Sequence, residues 1–163
     1  MNQRLHILFL SSWYPSRILP HNGDFIQRHA EAVATKHTVT AIHVVGDNTL
    51  EEKIEIDDTS INNVRTLIGY FKPSKNPIIK SLRFLKTYLK LIKLAGNFNL
   101  VHLNRIYPAG PIAIYLKWFK NKPFIISEHW CQCKSGKENY SGRQKEKNTR
   151  LPRRGTGHRG LFI

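Results

Sequence analysis

Three short stretches gather residues that can do chemistry. "LSSWY" carries Ser11, Ser12, Trp13 and Tyr14. "LNRIY" carries Asn104, Arg105 and Tyr107, and "ISEHW" carries Ser127, Glu128, His129 and Trp130. Each closes a compact apolar run, so each reads as the exit of a buried strand. Hydroxyls, a carboxylate, an imidazole and flat rings suit a sugar, because rings stack on its apolar faces while polar groups take its hydroxyls. His129, beside Glu128, has the ionisation range to act as a general base or to hold a sugar hydroxyl near neutral pH. His6, His43 and His102 fall within the strands and read as structural. A fourth stretch, "LPHNGDF", turns at Asn22 and Gly23 into a helix start, where free main-chain amides favour phosphate. The chain contains neither a phosphate-loop sequence nor a complete G-x-G-x-x-G.

An alternation of strands and helices must position these residues. "LHILFL" (5–10) is a continuous apolar run, as expected of a strand covered on both faces. "DFIQRHAEAVATKH" (24–37) has helical composition, with Asp24 in the first turn and Lys36 and His37 at the end. "TVTAIHVV" (38–45) is rich in β-branched residues and reads as the second strand. Short strands are expected near 53–56 and 64–69. Residues 76–96 predict a long helix, with Pro77 at its start and Gly96 at its end. "LVHLN" (100–104) is a further strand, a helix follows Pro108, and "PFIISEH" (123–129) closes the series. Such alternation implies right-handed crossovers and an α/β fold: a Rossmann-like parallel sheet with helices on both faces. In an open sheet of that kind, ligands bind at the carboxyl ends of the strands. The reactive residues are expected at those ends.

The long helix has a pattern of its own. At about 100° per residue, Arg83, Lys86, Lys90 and Lys93 fall within an arc of about 80°, with Leu82, Phe84, Leu85, Tyr88, Leu89, Leu91, Ile92 and Ala95 on the remainder. This is the pattern of an ordinary helix docked on a sheet with solvated lysines. It is also that of a helix lying on an anionic membrane, where each basic residue contributes roughly 1 kcal/mol.

Composition adds bounds. The 163 residues carry a formal charge of +15, which points to an anionic partner and says nothing of fold. The charge is uneven. Residues 131–163 hold nine Lys/Arg against two acids, leaving 17 against nine for residues 1–130. Cys131 and Cys133 are one residue apart, too close for an unstrained disulfide, which fits a reducing compartment. The apolar run near the N-terminus is too short for a signal-peptide core, and no stretch approaches the ~20 residues of a membrane span. A cytoplasmic location is expected.

"ILFLSSWYPSRILPHNGDFIQRHAEAVA", "LVHLNRIYPAG" and "PFIISEHW" together resemble the N-terminal domain of a family 4 glycosyltransferase, over residues 1–130. The resemblance implies a retaining enzyme of the GT-B type, with two Rossmann-like domains facing across a cleft, and a nucleotide-sugar donor. It implies that Asn22 and Gly23 approach the donor diphosphate, and that His129 matches the catalytic-site histidine contacting the transferred sugar. Trp13, Asn104 and Glu128 would shape the acceptor side. No metal or other cofactor is implied. Members of the family build polysaccharides or glycolipids, often at the inner membrane face, so the implied acceptor is a glycan or a lipid-linked sugar. The same grounds imply a peripheral location at that membrane face.

The pattern breaks after Trp130. The expected donor-binding domain, with its paired glutamates, has no counterpart in residues 131–163, where Tyr140 and Leu151 are the only large apolar residues between Cys133 and Leu161. That basic segment cannot offset its ordering entropy and is expected to be disordered. A shift of reading frame accounts for so abrupt a change, and a genuine tail for RNA or an anionic membrane is the alternative. With one tyrosine to stack bases, nucleic acid is the weaker partner. A zinc site from His129, Cys131, Cys133 and His158 matches no common spacing. Two functions follow: a truncated glycosyltransferase half, inactive alone, or a non-catalytic module that carries a basic tail to its partner.

Overall fold

The computed structural model describes residues 3–128. In chain order they form β1 (His6–Ser11), α1 (Asp24–Ala34), β2 (Thr38–Gly46), β3 (Ile54–Ile61), β4 (Val64–Phe71), α2 (Pro77–Ala95), β5 (Leu100–Asn104), α3 (Gly110–Lys120) and β6 (Phe124–Ser127). The strands make one sheet in the order β3-β4-β2-β1-β5-β6. β1 pairs in parallel with β2 and β5, β2 with β4, and β5 with β6.

The sheet differs from the expected all-parallel one at its far edge, where β3 runs antiparallel to β4. The cause is local. Asn62 and Asn63 both have positive φ, 50° and 64°, and lie between the paired residues Ile61 and Val64. Two consecutive positive φ values make the turn that matches strand twist, and asparagine tolerates them. The hairpin so closed has strands longer than the short ones expected. β3 is an edge strand carrying Glu55, Asp57 and Asp58, so it shows little of the apolar pattern that marks a strand in sequence.

Register assigns the two layers. Leu8, Leu10, Ile42, Val44, Leu67, Val101 and Leu103 share one face and pack against Tyr88, Leu91 and Ile92 of α2 and Ile112 and Leu116 of α3. Ile7, Phe9, Val39, Ala41 and Val64 face the other way, onto Ile26, Ala30 and Ala34 of α1. Helices therefore cover both faces. α2 begins where expected: the Asn76 side chain accepts from the N–H groups of Ile78 and Ile79 at 2.9 and 3.4 Å, and Pro77 follows.

α2 crosses the sheet at Gly69, which lies on the α2 face of β4. A Cβ built there would sit 2.4 Å from the Thr87 methyl and 3.2 Å from Leu91. Only glycine allows this approach. Gly69→Ala is expected to destabilise by about 1–3 kcal/mol, the usual cost of overpacking, seen as a lower Tm. Thr87→Ser removes the clashing methyl and keeps the hydroxyl that donates to the Arg83 carbonyl at 2.8 Å. The double variant should recover part of the loss, and failure to do so would place the strain elsewhere.

Candidate functional site at the carboxyl edge of the sheet

β1 leads through α1 to β2 on one side, while the α2 crossover delivers the chain to β5 on the other. The strand order thus reverses at β1/β5, and the carboxyl ends there form the natural crevice of an open sheet. A cleft of about 730 Å³ opens beside it. Ser12 and Trp13 after β1, Asn22 before α1, His43 on β2, Lys80 on α2 and Tyr107 before α3 contribute its chemistry. Phe71, Phe84 and Ile112 supply apolar wall.

Two anchors hold the loop between β1 and α1 against the sheet. Arg17 forks onto Glu55 at 2.6 and 2.9 Å and onto Asp47 at 3.0 and 3.3 Å, with its guanidinium 3.9 Å over the Tyr70 ring. Glu55 and then Asp47 hold Arg17 more firmly protonated than a free arginine. Hydrogen bonds from the Thr49 hydroxyl and N–H, and then from Arg17, hold the buried Asp47 carboxyl below its usual range. The second anchor is Gly23. With φ at +80° it caps α1, and a Cβ there would lie 2.8 Å from the Trp13 carbonyl carbon and oxygen. The expected Asn–Gly turn is present for a steric reason: the helix start packs on the backbone of Trp13 and Tyr14. Asp24 already places a carboxylate in the first turn of α1, which works against a second anion at that end.

Trp13 and Asn22 both line the cleft. One face of the Trp13 ring is taken by the Arg105 guanidinium, 3.7 Å from its centroid. Arg105 has a positive φ of 71°. Its N–H donates to the Ser127 carbonyl at 2.9 Å, and its own carbonyl accepts from the Ser12 hydroxyl at 3.1 Å. Glu128 is tied to the same turn, its carboxylate accepting from the Ile106 N–H at 2.6 Å. Asn104 is fully buried and lies behind the rim. Arg83 donates to the Lys72 carbonyl at 2.7 Å, whereas Lys86, Lys90 and Lys93 are exposed. His129 lies outside the described residues, as do Trp130, Cys131, Cys133, His158 and the basic segment 131–163.

The register brings together three residues that spacing in sequence does not. Ser11 stands opposite His43 on one side and Asn104 on the other. All three are buried, and each has an unpartnered polar atom: Ser11 Oγ, His43 Nε2 and Asn104 Oδ1. His43 Nδ1 lies 3.0 Å from the Ser11 carbonyl. A carbonyl only accepts, so Nδ1 carries the hydrogen and Nε2 presents a bare lone pair. The Asn104 amide donates to the His102 carbonyl at 3.2 Å, leaving its oxygen unpaired. The row therefore offers acceptors to a group with hydrogens to give, such as a hydroxyl or a water. Leaving such atoms unmet costs about 1–3 kcal/mol each. His43 read as a structural strand histidine from sequence. No local motif marks it, because its neighbours Ser11 and Asn104 are distant in the chain.

Among the described residues no three His, Cys, Asp or Glu side chains converge as metal ligands do, and no helix is long and apolar enough to cross a membrane. No protein-family model matches the chain, and no curated protein sequence matches it.

Burial pushes the His43 imidazole below its ordinary range, partly opposed by its bond to Ser11. Unfolded, this histidine takes up a proton near pH 6.5; folded, it does so only at lower pH. The unfolded state thus binds more protons in that window. The contribution of His43 is complete above about pH 6.5 and is lost as the pH falls toward the depressed folded value. His43→Gln is expected to lower Tm near neutral pH yet flatten its decline between about pH 7 and about pH 5. Equal slopes for parent and variant would show that another group carries the acid sensitivity.

Proposed function

We propose that residues 1–130 are the acceptor-side half of a retaining, nucleotide-sugar-dependent glycosyltransferase of the GT-B type. The observation that carries this reading is the cleft at the strand-order reversal, where the rings of Trp13, Phe71, Phe84 and Tyr107 meet Ser12, Asn22, His43 and Lys80. A glycan fits that chemistry. Trp13, which lines the cleft, and the exposed Tyr107 offer apolar rings for stacking. Ser12 borders the hydroxyls, and His43 lines the cleft beside it. Glu128 shapes the acceptor side by holding the turn after β5. His129 would follow it onto the transferred sugar, as the family 4 resemblance implies. Asn22 and Gly23 would face the donor diphosphate, and Lys80 on the cleft wall supplies a cation that the first turn of α1, with Asp24, does not.

In this reading the donor nucleotide is held chiefly by a second, facing domain. Exposed apolar groups on α3 and β6, namely Trp118, Phe119, Ile125 and Ile126, support the idea that more protein covers this end of the sheet. The alternative, a binding module acting through residues 131–163, rests on residues outside those described.

Incubated alone with a panel of nucleotide sugars and oligosaccharide acceptors, the chain should release no nucleoside diphosphate. Robust turnover would contradict a half-enzyme. Oligosaccharides should nonetheless perturb the Trp13 indole NMR signal, and Tyr107→Ala should weaken that binding roughly tenfold, the equivalent of about 1.4 kcal/mol. No perturbation by any glycan would remove the acceptor reading.

A further inference from the structure

We propose that a second copy of this chain covers the β6 end of the sheet, its own β6 joined in antiparallel to this one so that a single sheet runs through both. The seam does not depend on the transferase reading.

β6 ends the sheet, and among the described residues it pairs only with β5. The Pro123 and Ser127 carbonyls accept from the Val101 and Arg105 N–H groups, both at 2.9 Å. Backbone direction alternates along a strand, so the N–H and C=O groups of Phe124 and Ile126 point the other way, out of the sheet. Such an edge is a template for another strand unless charge, proline or a bulge blunts it. β6, with sequence FIIS, contains none of these. Instead Ile125 and Ile126, on opposite faces, are both about half exposed.

α3 extends the apolar edge into a second layer. Ile112 and Leu116 pack on the sheet, and the Lys117 ammonium lies 5.7 Å from the centre of the Phe124 ring. At about 100° per residue, Ile114 and Trp118 continue around the helix from Lys117, away from its buried side. Trp118 is 75% exposed, where a docked helix normally turns a polar residue to solvent. Trp118, Ile114, Ile125 and Ile126 together offer roughly 350 Å² of apolar surface per copy. With the strand backbone and the flanking charged residues, two copies reach about 1,000 Å², the least that a specific interface needs.

The edge is complementary to itself, which selects a second copy over another partner. A twofold axis at Ile125 sets Phe124 against the partner's Ile126, and Ile126 against the partner's Phe124. Their outward N–H and C=O groups then exchange bonds. The same axis sets Lys122 opposite the partner's Glu128, and Glu128 opposite the partner's Lys122. Lys122 already donates to Asn97 Oδ1 at 2.9 Å, and one Glu128 oxygen accepts from Ile106. The ammonium keeps further hydrogens and the carboxylate a second oxygen. A surface that answers its own copy is what an isologous contact requires. An axis at Ile126 would instead face Glu128 with Phe124. Antiparallel neighbours share a face, so both α3 helices lie on one side of the seam. With strands about 4.8 Å apart, helices over the β5–β6 strip stand about 10 Å apart, an ordinary packing distance. The two clefts open at opposite ends of the shared sheet.

The test is sedimentation equilibrium on the full chain. At about 0.15 M salt the parent should dimerise with a micromolar Kd. Ile125→Lys sets two like charges side by side at the axis and should raise Kd at least about a hundredfold. Its Tm in dilute solution should match that of the parent monomer. Lys122→Glu and Glu128→Lys should each raise Kd at least about tenfold. An equimolar mixture of those two variants should recover the dimer, because opposite charges again meet at both pairs. Amide exchange of Phe124 and Ile126 should slow as protein concentration rises. A parent that stays monomeric up to about 0.5 mM would overturn the proposal. So would Ile125→Lys or charge variants that dimerise like the parent, or a mixture that stays monomeric. A dimer lost in Leu82→Ser/Leu89→Ser but kept in the β6 variants would place the contact on α2 and equally overturn it.

Discussion

Everything functional in this protein depends on the pairing of β1, in parallel, on both sides. Ile7 to Ser11 are matched one for one with Val39 to His43 and with Leu100 to Asn104. Because side chains alternate with a period of two, that register decides which residues enter which layer. It sends Leu8 and Leu10 to α2 and α3, and Ile7 and Phe9 to α1. It also sets Ser11, His43 and Asn104 side by side. Parallel pairing brings the carboxyl ends of β1, β2, β4 and β5 to one edge, so residues far apart in the chain meet there. A slip of one residue would exchange the layers and scatter that polar row.

The loop after β1 is the second level of control. A polar loop over a cleft would be mobile if only its ends were fixed. Here Arg17 ties its middle to β3 and to the buried Asp47 just past β2, while Gly23 lets the start of α1 settle on the backbone of Trp13. Trp13 is thereby held from both sides, its ring under Arg105 and its carbonyl under Gly23. The turn after β5 is built the same way, with Ser12, Ser127 and Glu128 each bonding into it. Several polar residues at strand ends that look like ligand contacts are thus committed first to shaping the rim. Glu128 and Ser12 are the clearest cases.

Much of the scaffold was legible in sequence because it rests on local signals. "LHILFL" and "LVHLN" are short apolar runs of the kind only buried strands use. Asn76–Pro77 and Gly96 bound α2 by the chemistry of helix ends. β3 was legible only in part, because an edge strand with three acids carries no clear alternation and the Asn62–Asn63 turn defines it better than its own residues do. The outward face of α2 misleads for a related reason. Leu82, Leu85 and Leu89 look like core when counted on a helical wheel, since the wheel shows which residues are apolar but not how wide a face the sheet covers.

The sequence by itself determined the α/β alternation, the positions of the strand exits, and the enrichment of hydroxyl, carboxylate and aromatic groups there. These follow from chain-local propensity and period. Only the tertiary structure decided that His43 joins Ser11 and Asn104, that Glu128 braces a turn, and that Ile78, Leu82, Leu85 and Leu89 of α2 are left uncovered. Those outcomes depend on strand order, register and the angle at which a helix crosses the sheet at Gly69. Such quantities come from contacts between segments tens of residues apart, and no window of local sequence contains them.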